Sequence, residues 1–436
     1  MTGIGRGKVR GVVLLIFDTL RVDFRDMCAA EGVPLPGFER LARLAPVSFA
    51  ARCGSFPTMP MRTDLLTGRL SFLSGRWATP AADEPTLLSR CAQAGIRTCL
   101  VTDNYIIAVP ELQGVLPLSF DDAVFLRGYG SDPWAVPTAQ EKRLASKRAK
   151  LRPCRNPAFE AQFVANSRKW ASAGGPPHER VFTAAADRLA SLATQPRFLL
   201  WVDSFGAHEP WVSPDAQLDS TIVLPPYGTR DALSEEQMQS LRRAYALRIG
   251  DMDRALEPFL DELAVVLSGG DVGLVVLSDH GFLFGEFGAV GKPHEIPLPP
   301  HLHSIECRVS ANVAACSGPA GAAMQPHDVH RLCEAALFGG GVPTPGAVQV
   351  LGRNSPRSRH LTIANEEGMG FLWTDGTGRT GEEWFSWSGL QPRFPFCNQP
   401  GRRIKDGVLW NTRDILGSAC SAWLAPFTAY LSERAR

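Results

Sequence analysis

The sequence predicts an α/β fold: a mainly parallel central sheet sandwiched by helices, with a small C-terminal antiparallel sheet plus helix. Three observations predict it. Four apolar runs, at 11–17 (uninterrupted), 97–101, 198–202 and 273–277, each end in polar residues. Central parallel strands, buried on both faces, read this way. Segments of helical apolar spacing separate the runs. Beyond the Gly-Pro-rich stretch Gly339–Pro345, the pattern changes to short alternating stretches.

Length and composition bound the rest. A chain of 436 residues holds two or three domains, or one large α/β domain with an appendage. We divide it into a catalytic unit, 1–345, and a C-terminal α+β subdomain, 346–436. Residues 121–180 form a basic insertion or lid within the first. With 44% hydrophobic and 20% charged residues the composition is that of an ordinary globular protein. A net charge of +1 gives no reason to expect nucleic acid or an anionic membrane as partner. Val12–Ile16 is too short to span a bilayer, and no cleavage site follows it. Ten cysteines lie scattered without a CxxC pair, which points to reduced, buried thiols and a cytoplasmic protein. A homo-oligomer stays open.

Taken in order, Gly11–Phe17 is the first strand and delivers Asp18 at its C-terminal end, where α/β sheets bind ligands. Leu35–Leu44 and Pro85–Ala94 have helical spacing. Between them, Phe56–Leu70 reads as an irregular entry into a helix that Gly68 closes. Pro60 suits the first turn. Thr58 then sits at a helix N-terminus, where free N–H groups and the dipole favour an anion. Arg62 returns one turn later with a planar, permanently charged fork. An N-capping Thr with a surface Arg is the alternative.

The second run, Arg97–Val101, ends in Thr102, Asp103, Asn104 and Tyr105, residue types also common in turns. Residues 121–180 carry Lys142, Arg143, Lys147, Arg148, Lys150 and Arg152 with little periodicity. Such a segment is either a solvated face or a basic lid for an anionic substrate. A helix near Val181–Thr194 leads into Phe198–Val202, which ends in Asp203 and reaches His208, Pro210 and Trp211. Ser234-Glu-Glu-Gln237 is a capping box opening a helix through Leu263. The fourth run opens onto Ser278-Asp279-His280-Gly281. An adjacent Asp and His at a strand end present a carboxylate and an imidazole to one ion, a mixed set favouring Mn, Zn or Fe over Ca or Mg. Lys292, His294, His301 and His303 follow. Arg359–Ala364 and Gly368–Trp373 alternate like a hairpin, and Ala419–Arg436 is an amphipathic helix.

Several of these stretches together resemble the sulfatase and alkaline-phosphatase superfamily. Thr58-x-Pro60-x-Arg62, then Leu65-Leu66-Thr67-Gly68, is similar to its nucleophile signature; Asp18-Thr-Leu-Arg-Val-Asp23 resembles its first metal motif. Ser278-Asp279-His280-Gly281 with Gly285-Glu286-x-Gly288 resembles its second, and His208-x-Pro210-Trp211 its substrate-contacting loop. The resemblance implies an alkaline-phosphatase-like fold. It also implies a divalent metal ion, Mn or Zn first, held by Asp18, Thr58, Asp279 and His280. Thr58 would be the nucleophile, Arg62 and Lys292 the anion clamp, His208 the general acid, and Asn104 and Tyr105 substrate contacts. Asp203, His208 and His294 are the candidates for a second metal, although the Asp-to-His spacing is five where two-zinc members have four.

Two departures count. Thr19 replaces a second Asp, against an all-oxygen calcium site. Thr at position 58 cannot be oxidised to the formylglycine of true sulfatases. The resemblance is therefore to the Thr-nucleophile phosphodiesterase and phosphonate monoester hydrolase branch. It implies hydrolysis of a small anionic phosphoester through a covalent intermediate on Thr58. A sulfate-ester or sulfamate hydrolase, a phosphoryl transferase to an alcohol and a non-catalytic family member stay open.

Overall fold

The first apolar run forms a strand, Gly11–Phe17 (β1), buried at every position. Val13, Leu15 and Phe17 enter one core and Val12, Leu14 and Ile16 the other, because successive side chains of a strand point to opposite faces. The computed structural model describes residues 8–74, 80, 84–108, 119–151, 156–211, 225, 228–229, 233–286, 288–292, 298–317, 323–342, 349–354, 358–364, 368–375 and 380–386.

The strands that follow begin with β2 (Val47–Ser48), β3 (Ser55–Phe56), β4 (Arg97–Thr102), β5 (Asp122–Phe125), β6 (Phe198–Ser204) and β7 (Gly228–Thr229). Then come β8 (Val272–Ser278), β9 (Leu283–Phe284), β10 (Ala289–Gly291) and β11 (Cys307–Val309). Last are β12 (Gln349–Asn354), β13 (Ser358–Ala364), β14 (Gly368–Asp375) and β15 (Thr380–Ser386). The main sheet has the order β2-β11-β8-β1-β6-β4-β5. β8, β1, β6, β4 and β5 are mutually parallel, and β11 runs antiparallel to β8 at one side. Phe17 is level with Ser204 and Ser278, and Thr102 with Asp203. The residues leaving β1, β4, β6 and β8 therefore emerge along one edge of the sheet.

Helices cover both faces. Pro36–Leu44, Pro177–Leu192, Glu235–Ala255 and Glu257–Leu267 pack on one core. Thr58–Thr67, Leu87–Gln93 and Pro326–Phe338 pack on the other. The capping box at Ser234 forms as expected, with reciprocal bonds of 3.1 and 2.9 Å to Gln237. The helix it opens does not run through to Leu263. It ends at Ala255, and a second begins at Glu257 with Pro258 in its first turn, where a missing N–H costs nothing. Residues 121–180 hold β5 and the helices Ala139–Leu151 and Pro157–Trp170. The two helices are joined by Arg148–Glu160 at 2.8 Å. A polar helix held by ion pairs shows little apolar stripe in sequence.

The hairpin at 359–373 forms as β13 and β14, within a sheet of order β15-β14-β13-β12-β3. All its pairs are antiparallel but one. β12 runs parallel to β3, with Gly352 opposite Ser55 and Arg353 opposite Phe56. The strand just ahead of Thr58 thus belongs to the C-terminal sheet. The expected helix at 419–436 lies outside the described residues. The seven described cysteines are all buried. No helix among the described residues is long and apolar enough to cross a membrane.

Candidate active site

Thr58 and Arg62 lie on Thr58–Thr67, a helix whose residues from Thr58 through Leu66 are all buried. Gly68 closes it at φ +67, donating its N–H to Asp64 O at 2.9 Å, as a left-handed C-terminal glycine does. Asp64 fixes the entry. Its Oδ2 accepts from Ser55 N at 2.7 Å, and its Oδ1 from Ser71 N at 2.6 Å and Ser55 Oγ at 2.8 Å. Burial nonetheless pushes its carboxyl up to about 7. The segment β3, the helix start and Thr58 are set as one piece.

Asp18, Asp279 and His280 leave β1 and β8 side by side. One ligand atom from each lies within 4.8 Å of the others, and all three side chains are buried. His280 Nδ1 faces Gly281 O at 3.0 Å, so the ring proton sits there and Nε2 carries the lone pair. Burial lowers its pKa to about 3. Thr58 Oγ1 lies 3.3 Å from that Nε2. Asp18 is pushed up by burial and then by Asp279, as expected where two carboxylates converge. Asp18, Asp203, Asp279 and the fully buried Glu209 stand against two buried cations, Arg62 and Lys292. Four negative charges against two positive leave room for one divalent ion. The donor set of two carboxylates and a neutral imidazole fits a divalent transition metal.

Thr19 links the two strand ends. It is the one non-glycine residue with positive φ among those described, at +60, a costly conformation for a β-branched side chain. Four bonds hold it. Its N–H donates to Asp279 Oδ1 at 2.8 Å and its hydroxyl to Asp18 Oδ1 at 2.7 Å. It accepts from Lys292 Nζ and from Tyr245 OH, both at 3.2 Å. Arg21, two residues on, ties the same two loops with bonds to Asp23 Oδ1 and Glu286 Oε1, each 2.7 Å, and to Phe282 O at 2.8 Å. The acidic positions of both metal-like motifs thus meet at one guanidinium.

Arg62 is spent inside the cluster. Nε and Nη2 donate to the two oxygens of Asp203 at 2.7 and 3.0 Å, and Nη1 to Asp279 Oδ2 at 2.7 Å. Nη2 is also 3.5 Å from Asp18 Oδ2. Sequence reasoning aimed this fork at the substrate anion and Asp203 at a second metal; in the structure they engage each other. Asn104 Nδ2 reaches Asp203 Oδ1 at 3.3 Å and Asp18 Oδ2 at 3.5 Å. Tyr105 lies apart in an aromatic group with Tyr129 and Phe205, its hydroxyl accepting from Ser131 at 3.1 Å.

His208 stacks on Phe205 at 4.0 Å. Its Nδ1 is 2.6 Å from Glu209 O and 3.3 Å from Glu209 Oε2, two acceptors. The proton therefore sits on Nδ1 and the lone pair on Nε2, and burial lowers the ring's pKa to about 4. A resting general acid would need the opposite. Lys292 Nζ is 3.2 Å from Glu209 Oε2. Glu209 went unnoticed in the sequence, where a lone Glu before Pro reads as a loop residue. Its position between His208 and Pro210 was the available signal. His294 lies outside the described residues. His301 and His303 do not join the metal cluster.

The family model Sulfatase matches residues 10–314. No curated protein matches the chain. Among solved structures, the phosphonate monoester hydrolase of Agrobacterium radiobacter is 14% identical with a TM-score of 0.59, covering 98% of this chain and 96% of that one. The phosphonate monoester hydrolase from Silicibacter pomeroyi is 16% identical with a TM-score of 0.59, covering 97% and 94%. A protein in the alkaline phosphatase superfamily from Vibrio parahaemolyticus is 12% identical with a TM-score of 0.55, covering 98% and 88%. At these identities the likeness is one of fold.

Proposed function

The chain belongs to the sulfatase family, within the alkaline-phosphatase superfamily, and from that premise we propose a one-metal hydrolase of phosphoesters that uses Thr58 as nucleophile. The observation that carries the proposal is the buried cluster of Asp18, Asp279 and His280 with Thr58 Oγ1 3.3 Å from His280 Nε2. Asp18, Asp279, His280 and the Thr58 hydroxyl would hold the ion, Mn or Zn. When bound, it supplies Lewis acidity and a lowered hydroxyl pKa.

Thr58 Oγ gives up its proton to solvent and forms the new P–O bond as the ester's P–O bond to the leaving alcohol breaks. The departing oxygen leaves toward Lys292, whose ammonium donates the proton it takes up and is reprotonated from solvent. Water then cleaves the phospho-threonine, its oxygen joining phosphorus and one of its protons restoring the Thr58 hydroxyl. Arg62 fixes Asp203 and Asp279 against Asp18, and Asn104 steadies Asp18 and Asp203. Phosphonate monoesters, in line with the names of two structural neighbours, and phosphodiesters are the favoured substrates. We place the catalytic unit at 1–345 and a subdomain at 346–436, with 121–180 as an insertion over the His208 side, in a cytoplasmic protein. Sulfate-ester hydrolysis through the same Thr58 is the second reading, favoured by the family itself. Parallel assays on an aryl phosphodiester, an aryl phosphonate monoester and an aryl sulfate, with metal analysis, test both. Turnover of the sulfate alone would overturn the first reading.

A further inference from the structure

We infer that Glu209 tunes the site for an ester carrying one negative charge, such as a phosphodiester or phosphonate monoester, against a dianionic phosphate monoester. The inference names the substrate class of the site proposed above and rests on that one-metal reading. Glu209 is wholly buried. Its Oε2 lies 3.2 Å from Lys292 Nζ and 3.3 Å from His208 Nδ1. Lys292 Nζ reaches on to Thr19 Oγ1 at 3.2 Å, and that hydroxyl donates to Asp18 Oδ1 at 2.7 Å. The carboxylate therefore offsets the cation nearest the metal cluster on the His208 side.

The count of charges then decides. Asp18, Asp203, Asp279 and Glu209 are countered by Arg62 and Lys292, and a divalent ion brings these six side chains to neutrality, with the buried Asp103 carboxyl, pushed up to about 7, beside them. Arg62 is committed to Asp203 and Asp279, and Lys292 to Glu209. A monoanion leaves one surplus negative charge in a buried site, and a dianion leaves two. Without the Glu209 charge beside it, the ammonium of Lys292 would offset more of that second charge. At roughly 6 Å and an effective dielectric of about 20, one unit charge changes the preference by about a hundredfold.

The test uses the metal-loaded chain and two anions without an ester bond, dimethylphosphinate (one charge) and methylphosphonate, at a pH where both of its protons are lost (two charges). Their dissociation constants are measured by calorimetry for wild type and Glu209→Gln, which keeps shape and an acceptor oxygen but loses the charge. Wild type should favour dimethylphosphinate, and Glu209→Gln should shift the ratio toward methylphosphonate by about a hundredfold, with metal content unchanged. If Glu209→Gln does not fold, Lys292→Gln should shift the ratio the other way by a similar factor. An unchanged ratio, an equal loss for both anions, or no binding of either by wild type overturns the inference. Catalysis separates the two proposals. A shifted ratio in a protein that cleaves no ester keeps the charge inference and sinks the hydrolase. Ester cleavage with an unchanged ratio does the reverse.

Discussion

Thr58 is at once the residue where this chain leaves the formylglycine sulfatases and the hydroxyl nearest His280. Thr58→Ser should keep activity, and Thr58→Ala should lower kcat by roughly three powers of ten, leaving the metal and neighbouring cations. Turnover by the Ala variant equal to wild type would reduce Thr58 to a helix-starting residue. Asp64 allows a sharper stability test. Both of its oxygens accept backbone N–H groups, from Ser55 and Ser71, so an amide in either orientation sets NH2 against N–H. Asp64→Asn should cost about 1–3 kcal/mol in denaturant unfolding. No loss would mean that the carboxyl already carries a proton. His178 supplies the pH dependence. It is buried and accepts from Arg248 Nη1 at 3.2 Å, and its pKa is lowered well below 6.5. Below pH 6.5 the unfolded chain binds a proton there that the folded chain refuses, so wild type loses stability on acidification. The stability gap between wild type and His178→Gln should narrow as pH falls, by up to about 1.4 kcal/mol per unit. A gap that stays constant from pH 7 to 5 would show that His178 does not titrate in this way.

At the scale of elements, the loops after β1 and β8 are clamped by Arg21, whose side chain is 3% exposed. Arg21→Ala leaves Asp23 and Glu286 without their shared partner. We expect a loss of about 2–3 kcal/mol and weaker metal retention on dialysis; unchanged retention would mean the clamp does not position the ligands. The elements also differ in how far the sequence revealed them. β1, β6 and β8 were plain, because strands buried on both faces are apolar throughout. Asp18, Asp279 and His280 were legible because they terminate such strands, and Thr58 with Arg62 because of their spacing from Pro60 and Gly68. β3, β9 and β11 were not, since two or three residues carry no period and only their partners make them strands. Glu209 and Asp64 were hidden for a related reason. A buried carboxylate is recognised by what surrounds it, and its surroundings come from distant parts of the chain: Lys292 for one, Ser55 and Ser71 for the other.

On the scale of the whole molecule, metal binding and folding are coupled. Four buried carboxylates against two buried cations repel one another until a divalent ion arrives. Removal of metal by a chelator should lower the Tm, and added Mn or Zn should restore it in proportion to the logarithm of its concentration. A Tm indifferent to both would remove the ion from the site. The segment ahead of Thr58 enters the C-terminal sheet as β3, where Gly352 N donates to Gly54 O at 3.1 Å and Phe56 pairs with Arg353. That one borrowed strand has a consequence for exchange with solvent. The Gly352 amide is protected only while β12 is docked on β3, so deuterium uptake at Gly352 becomes a gauge of attachment of the C-terminal sheet to the strand that ends two residues before Thr58. Any cut or ligand that loosened β12 would register there first, before the main sheet lost protection, and catalysis would fade along with it.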